Sequence, residues 1–342
     1  MYDAAHVEPL EVRLGPTRDR DLLAVARAVA IPWADVEKAT IRVVSGGITN
    51  LLFALSADRR PTVLVRVYGP ATSAVIDRDA ENTLFAELSR VGFAPPYHGR
   101  FRNGRVEGFL DGFRALEPHE IGLPDLRRLI ARRLREMHGL LPVAVPSRLW
   151  SSLASWMDQA RGLSFRGEAA RRCAALDLDR QHGHLHALER RFRERLVPAA
   201  SSAGAEAALQ VVMAHNDLLA GNVLYDGREV RFIDYEYGAP SYAAFDLANH
   251  FCEYAGFDSD FEAHFPSRAV REEVVGAYLG PARAADVADF TDVVDFFVLP
   301  DHLWWGTWAV LQAFHSPIDF DFLGYAQLRF AGLSVHAGLS RW

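Results

Sequence analysis

The apolar positions of this chain change their period along its length. Between about residues 40 and 115 they come in short, β-branched runs. "TIRVV" and "NLLFALS" flank Ser45-Gly46-Gly47, and "TVLVRVY" follows, closed by Gly69-Pro70. Such runs, broken by turn residues, predict strands, the first two joined as a hairpin. "AENTLFAELSRVG" switches to helical spacing, with Leu84, Leu88 and Val91 on one face and Gly92 as the stop. Short strands return in "PPYHGRFRNGRVEGF", with Asn103-Gly104 as the turn. From about residue 120 the helical period dominates. Leu126, Leu129, Ile130, Leu134 and Met137 make one stripe; Leu185, Leu188, Phe192 and Leu196 make another. The small residues of "PAASSAGAEAA" (198–208) predict a surface loop. A hairpin, "VLYDGREVRFID", turns at Asp226-Gly227, and helices resume after about residue 240. The order predicts an α+β chain: a small β-rich N-terminal lobe over 1–117 and a larger helical C-terminal lobe over 118–342. Clefts between such lobes are common ligand sites.

The predicted hairpin carries the candidate chemistry. In "AHNDLLAGNVLYDGREVRFIDYEYG" (214–238), Asn222 stands just before the first strand and Asp234 ends the second, so folding back brings them together. Asp217 lies on the preceding loop. Asparagine and aspartate favour turns anyway, and each alone would mean no more than that. Together they offer hard oxygens of the kind magnesium takes alongside phosphates and water. The spacing also follows the phosphoryl-transfer pattern: a catalytic Asp, an Asn five residues on, and a second metal-binding Asp on the next strand. Ser45, Gly46 and Asn50 could cover the phosphates, although a Gly-Gly hairpin is common. Arg66 lies mid-strand among apolar residues. If buried it needs a carboxylate partner, and Glu81 on the next helix is the candidate. The alternative is an edge strand with Arg66 in solvent.

Composition narrows the classes. Half of the 342 residues are apolar, enough for a large core, and the formal net charge is −7, which argues against nucleic acid. Cys173 and Cys252 cannot make a disulfide framework or a zinc site and read as reduced thiols. The N-terminus lacks the pattern of a secretory signal, and no apolar run is long enough to span a membrane, so the expected compartment is the cytoplasm. Lys38 is the only lysine; arginine carries the positive charge.

Taken together, "SGGITN", "VRVYG", "IDRDAE", "HNDLLAGNVL", "FIDYEYGAPSYAAFDLANHFCEYAG" and "HLWWGTWAVLQAFHSPIDFDFLGYAQLRF" resemble the choline/ethanolamine kinase family, from about residue 40 to 332. The resemblance implies a protein-kinase-like two-lobed fold and transfer of the ATP γ-phosphate to an amino-alcohol hydroxyl. It makes Asp217 the catalytic base and Asn222 and Asp234 the Mg2+ ligands. Ser45, Gly46, Asn50 and Arg66 would contact the nucleotide, Glu81 would hold Arg66, and Asp246 would buttress the catalytic loop. Tyr237, Trp305, Trp308, Phe320 and Tyr325 would surround the cationic nitrogen and Glu253 would neutralise it, with Trp304 left to packing.

The text is closer to ethanolamine kinases than to choline kinases; Leu219 is apolar where choline kinases often carry glutamine. The implied product is phosphoethanolamine, the first step of phosphatidylethanolamine synthesis by the CDP-ethanolamine route. Choline kinase and an aminoglycoside-type phosphotransferase are the alternatives. The C-terminal tryptophan-rich segment argues against the latter. A protein kinase lacks support without a GxGxxG loop or an APE-like segment. The partners implied are the amino alcohol and MgATP, with no nucleic acid and no stable membrane anchor; a homodimer stays open.

Overall fold

The computed structural model describes residues 6–44, 50–69 and 77–342. Two compact units divide the chain: Met1–Arg114 with Arg231–Glu236, and Ala115–Val230 with Tyr237–Trp342. The six residues that include Asp234 thus return to the first unit, which the linear order does not announce. Ser45 and Gly46 lie outside the described residues.

The first unit is built on six strands: Val7–Glu8 (β1), Thr40–Val44 (β2), Asn50–Ser56 (β3), Val63–Tyr68 (β4), Tyr97–Phe101 (β5) and Gly104–Gly108 (β6). Their order is β1-β5-β6-β4-β3-β2, antiparallel except where β1 meets β5. Alternation sends Val63, Val65 and Val67 of β4 into an apolar cluster with Phe53, Phe101, Val106 and Trp33. Leu22 and Val25 of helix Arg18–Val29 (α1) complete that cluster. Arg66 has the opposite parity and faces away from it. Since β4 lies between β3 and β6, Arg66 is not on an edge; it is 2% exposed. Register sets Arg66 directly across from Arg105. Gly104 makes the close approach tolerable: a Cβ there would stand 2.1 Å from the Arg66 carbonyl oxygen.

Helix Arg78–Arg90 (α2) starts at Asp77, whose carboxylate accepts from the Ala80 amide at 3.0 Å. It buries Glu81, Leu84, Phe85 and Leu88. Val91, expected on that face, ends the helix instead and is 38% exposed.

The second unit is mainly helical, in keeping with the expected α+β class. Helix Pro124–Leu140 (α3) buries Leu126, Ile130, Leu134 and Met137. Helix Val287–His315 is buried on every side from Val293 to Gln312, as a helix apolar all round must be. Among the described residues no helix is long and apolar enough to cross a membrane. The expected loop at 198–208 is a correction. Ser202 caps a short helix, Ala203–Ala208, by accepting from the Ala205 amide. Its small residues serve close packing: Gly204 lies against the Asp286 backbone. Strands Val211–Ala214 and Ala239–Tyr242 pair antiparallel. The first leads into the loop at 215, and the second leads into helix Ala243–Cys252. Cys173 and Cys252 are free thiols.

Candidate active site

The loop after Val211–Ala214 is held by one face of helix Ala243–Cys252. Asp246 is fully buried and accepts from the backbone amides of His215 and Asn216, each at 2.7 Å. It also meets His138 Nε2 at 2.9 Å, and His138 Nδ1 lies 2.8 Å from the Tyr278 hydroxyl. Three residues on, Asn249 Oδ1 accepts from the Leu218 amide at 2.9 Å; four on, His250 Nδ1 donates to the Leu218 carbonyl at 2.9 Å. Positions i, i+3 and i+4 share a helix face, so three side chains clamp three loop residues, His215, Asn216 and Leu218. Asn249 and His250 escaped the sequence reading, though their spacing from Asp246 was there to see.

This clamp sets Asp217, which is 7% exposed. Asn222 donates its amide nitrogen to the Asp217 carbonyl at 2.8 Å and to its carboxylate at 3.0 Å. Asn216 has φ +61° and is pinned by donating to the Tyr237 carbonyl at 2.9 Å. Asn222 and Asp217 are therefore joined as a pair inside the second unit.

The first unit holds a separate charged cluster. Arg66 and Arg105 stand side by side across strands, an arrangement that repels unless carboxylates intervene. Glu107 spans them, 3.5 Å from Arg66 Nη2 and 2.6 Å from Arg105 Nε. Arg66 also donates to Asp234 at 3.0 Å. The expected Arg66–Glu81 pair does not form: Glu81 takes Arg105 and, at 2.7 Å, Arg78. The register explains this, because two adjacent buried cations each need their own carboxylate. Arg78 stacks 4.3 Å over the Tyr68 ring and reaches Glu236 at 3.3 Å. Asn50 accepts from Arg78 at 3.1 Å and donates to Glu236 at 3.3 Å.

Four carboxylates thus face three guanidiniums. Burial, then the charges of Asp234 and Glu81, push the Glu236 carboxyl up to about 8. Burial works against ionisation of Glu81 too, but Arg105, Arg78 and Arg66 bring it down to about 2. Carboxylate oxygens of Glu81, Asp234 and Glu236 all lie within 4.8 Å of one another. That set of hard oxygens fits a magnesium ion. Asp234 was expected there; Glu236, two residues on, was missed.

The aromatic residues form a connected series in the second unit. Ring centroids are 5.3 Å apart for Tyr237–Trp305, 5.3 Å for Trp305–Trp308, 6.5 Å for Trp308–Tyr325 and 6.0 Å for Tyr325–Phe320. Trp308 Nε1 donates to the Tyr237 hydroxyl at 2.6 Å. Phe257, which the sequence reading passed over, adds a ring 5.8 Å from Tyr325 and 5.6 Å from Phe320. Trp304 packs against Trp156 at 4.3 Å. Glu253 lies 3.5 Å from Arg329 Nη1, and burial pushes its carboxyl up to about 7 against the pull of Arg329. Aromatic faces attract cations, and a carboxylate beside them would add charge, so this buried group has the chemistry to attract a cation.

Comparison with known proteins is consistent with this geometry. Residues 41–333 match the family described as Choline/ethanolamine kinase. A probable ethanolamine kinase of Arabidopsis thaliana is 35% identical over 312 residues, covering 87% of this chain and 80% of that protein. Probable choline kinase 3 of the same plant is 28% identical over 333 residues, covering 91% of each. The solved structure of a Plasmodium vivax ethanolamine kinase superimposes with a TM-score of 0.76 at 25% identity, over 95% of this chain and 96% of that one. The chain belongs to the choline/ethanolamine kinase family, the ATP-dependent amino-alcohol phosphotransferases.

Proposed function

We propose that this enzyme phosphorylates the hydroxyl of ethanolamine in preference to choline, acting in the cytoplasm. The observation that carries the preference is the buried Glu253 carboxylate, linked to Tyr325 through the Arg329 guanidinium. A primary ammonium brings three N–H donors that such a carboxylate can accept, whereas a quaternary nitrogen brings none. The ethanolamine kinases it matches are 29–35% identical to the chain and two choline kinases 28–30%, a balance that leans the same way. The aromatic series favours choline as the second reading, since rings alone can hold a quaternary nitrogen.

In this account Asp217 orients the acceptor hydroxyl and takes its proton as the oxygen attacks the γ-phosphorus. Asn222 fixes the Asp217 carboxylate, and the Asp246 clamp fixes the loop beneath it. Arg66, Ser45, Gly46 and Asn50 bind the nucleotide, and Glu81 balances the charge of Arg105 and Arg78. Asp234 and Asn222, with Glu236, are the residues that would hold Mg2+. When bound, that ion neutralises phosphate charge. Positioning and charge compensation supply most of the acceleration.

The test is product identification by 31P NMR with MgATP and ethanolamine. Phosphoethanolamine forming in step with ADP is the expected result. ADP and inorganic phosphate without a phosphoamine would overturn the assignment.

A further inference from the structure

Arg329 lies on helix Phe322–Val335 and is 1% exposed. Its guanidinium donates to the Asp301 carboxylate, to the Asp301 carbonyl at 3.2 Å and to the Tyr325 hydroxyl at 3.2 Å. It reaches Glu253 at the longer distance of 3.5 Å. Asp301 also accepts from Asn249 Nδ2 at 3.2 Å. One cation therefore serves two buried carboxylates, and it serves them unequally. Asp301 receives the close charge-assisted contact and an amide besides; Glu253 receives the distant one.

The surrounding titratable groups do not make up the deficit. Burial holds His302 and His336 below the ordinary histidine range, helped by Arg329 at His302 and by Arg271 and then Arg329 at His336, so both are neutral; Arg271 itself is paired with Asp295. Burial pushes the Cys252 thiol and the Tyr325 hydroxyl up, so both keep their protons. One guanidinium thus stands against two buried carboxyl groups, Asp301 and Glu253, and these neutral neighbours add no positive charge. An isolated carboxylate in such surroundings is costly and is relieved by a cation.

We propose that Arg329 is a positioning residue that sets the charge of the ammonium subsite: it clamps Asp301 and Tyr325 and leaves Glu253 under-neutralised, ready for an amine with N–H donors. The proposal rests on the ethanolamine-kinase assignment above. It separates three roles within one cluster. Tyr325 gives a face, Glu253 gives the charge, and Arg329 decides how much of that charge remains for substrate. Ionised Glu253 is the binding form, so KM for ethanolamine should fall as pH rises through about 7. An alkyl ammonium keeps its proton through this range, as lysine does to about 10.4.

The experiment measures KM and kcat for ethanolamine, and KM for ATP, from pH 6 to 8.5 in the wild type, Arg329→Lys, Arg329→Gln and Glu253→Gln. Arg329→Lys keeps the charge but not the fork; it should raise the ethanolamine KM severalfold and leave the pH break in place. Arg329→Gln removes the cation, so the break should move upward by about a pH unit or more, with KM for ATP unchanged. Glu253→Gln should abolish the break and raise the ethanolamine KM roughly tenfold or more, with a smaller effect on choline. If Arg329→Gln does not fold, Glu253→Gln and Arg329→Lys still decide. An unchanged break in Glu253→Gln, or equal losses in the ethanolamine and ATP parameters of Arg329→Lys, would overturn the inference. A wild type that makes no phosphoethanolamine would instead overturn the assignment on which it rests.

Discussion

Asn222 donates twice to Asp217, once to its backbone carbonyl and once to its carboxylate. One side chain thus fixes both the backbone and the carboxylate of the residue five positions before it. The double contact explains the five-residue spacing: Ala220–Asn222 is a single 3-10 turn that brings the amide back over the loop.

Removing the Asp217 carboxylate should leave nucleotide binding intact while transfer fails. Asp217→Ala is expected to lower kcat by about 10²–10⁴-fold, the range of a positioned general base. Fluorescent-nucleotide titration and steady-state kinetics check the two halves. A kcat within severalfold of wild type would remove Asp217 from the mechanism.

Asp246 should matter to both stability and rate. Asp246→Ala strands two buried backbone amides and His138, a loss of about 2–4 kcal/mol. The wild-type carboxyl is held below its usual range, because His138 and the loop amides outweigh burial. A depressed carboxyl contributes its stability above its unfolded value of about 3.9 and loses it as pH falls through the folded value. Chemical denaturation of wild type and variant should therefore differ at neutral pH and converge in acid. Equal stabilities at pH 7 would contradict the clamp.

How much of this was legible in the sequence follows from what each feature depends on. The Asp217–Asn222 contact is local, and the five-residue spacing singled out both residues, but as a base and a metal ligand rather than as a hydrogen-bonded pair. The aromatic positions Trp305 and Trp308, three apart on one helix, were legible for the same reason. The Arg66–Glu81 pairing was not, because it turns on the register that puts Arg105 opposite Arg66, a non-local fact. Arg329 was invisible for a related reason: its partners Asp301 and Glu253 are 28 and 76 residues away. The run 198–208 misled because small residues serve tight packing as well as flexible loops.

Magnesium should bind the first unit's carboxylates in competition with protons. The Glu236 carboxyl is raised to about 8, so deprotonating it without metal costs stability as pH climbs from its unfolded value towards 8. Added Mg2+ should raise Tm more at pH 9 than at pH 6.5, and Glu236→Gln should remove most of that difference. Thermal melts with and without Mg2+ test this. A metal-induced shift independent of pH, or unaffected by Glu236→Gln, would count against the site.

Trp308 should matter more for a quaternary amine than for a primary one. A cation held by an aromatic face gains about 0.5–2 kcal/mol, so Trp308→Leu should raise the choline KM by roughly 2–30-fold. The ethanolamine KM should move less, because Glu253 supplies a further contact. Parallel saturation curves decide, and an equal rise for both amines would show that the ring does not discriminate.

The most direct measurement is a competition. The enzyme, MgATP and equal concentrations of ethanolamine and choline are mixed, and both phospho-products are followed at early times. Their initial ratio equals the ratio of kcat/KM values. Phosphoethanolamine should predominate; a predominance of phosphocholine would contradict the proposed preference and place discrimination in the aromatic series rather than in Glu253.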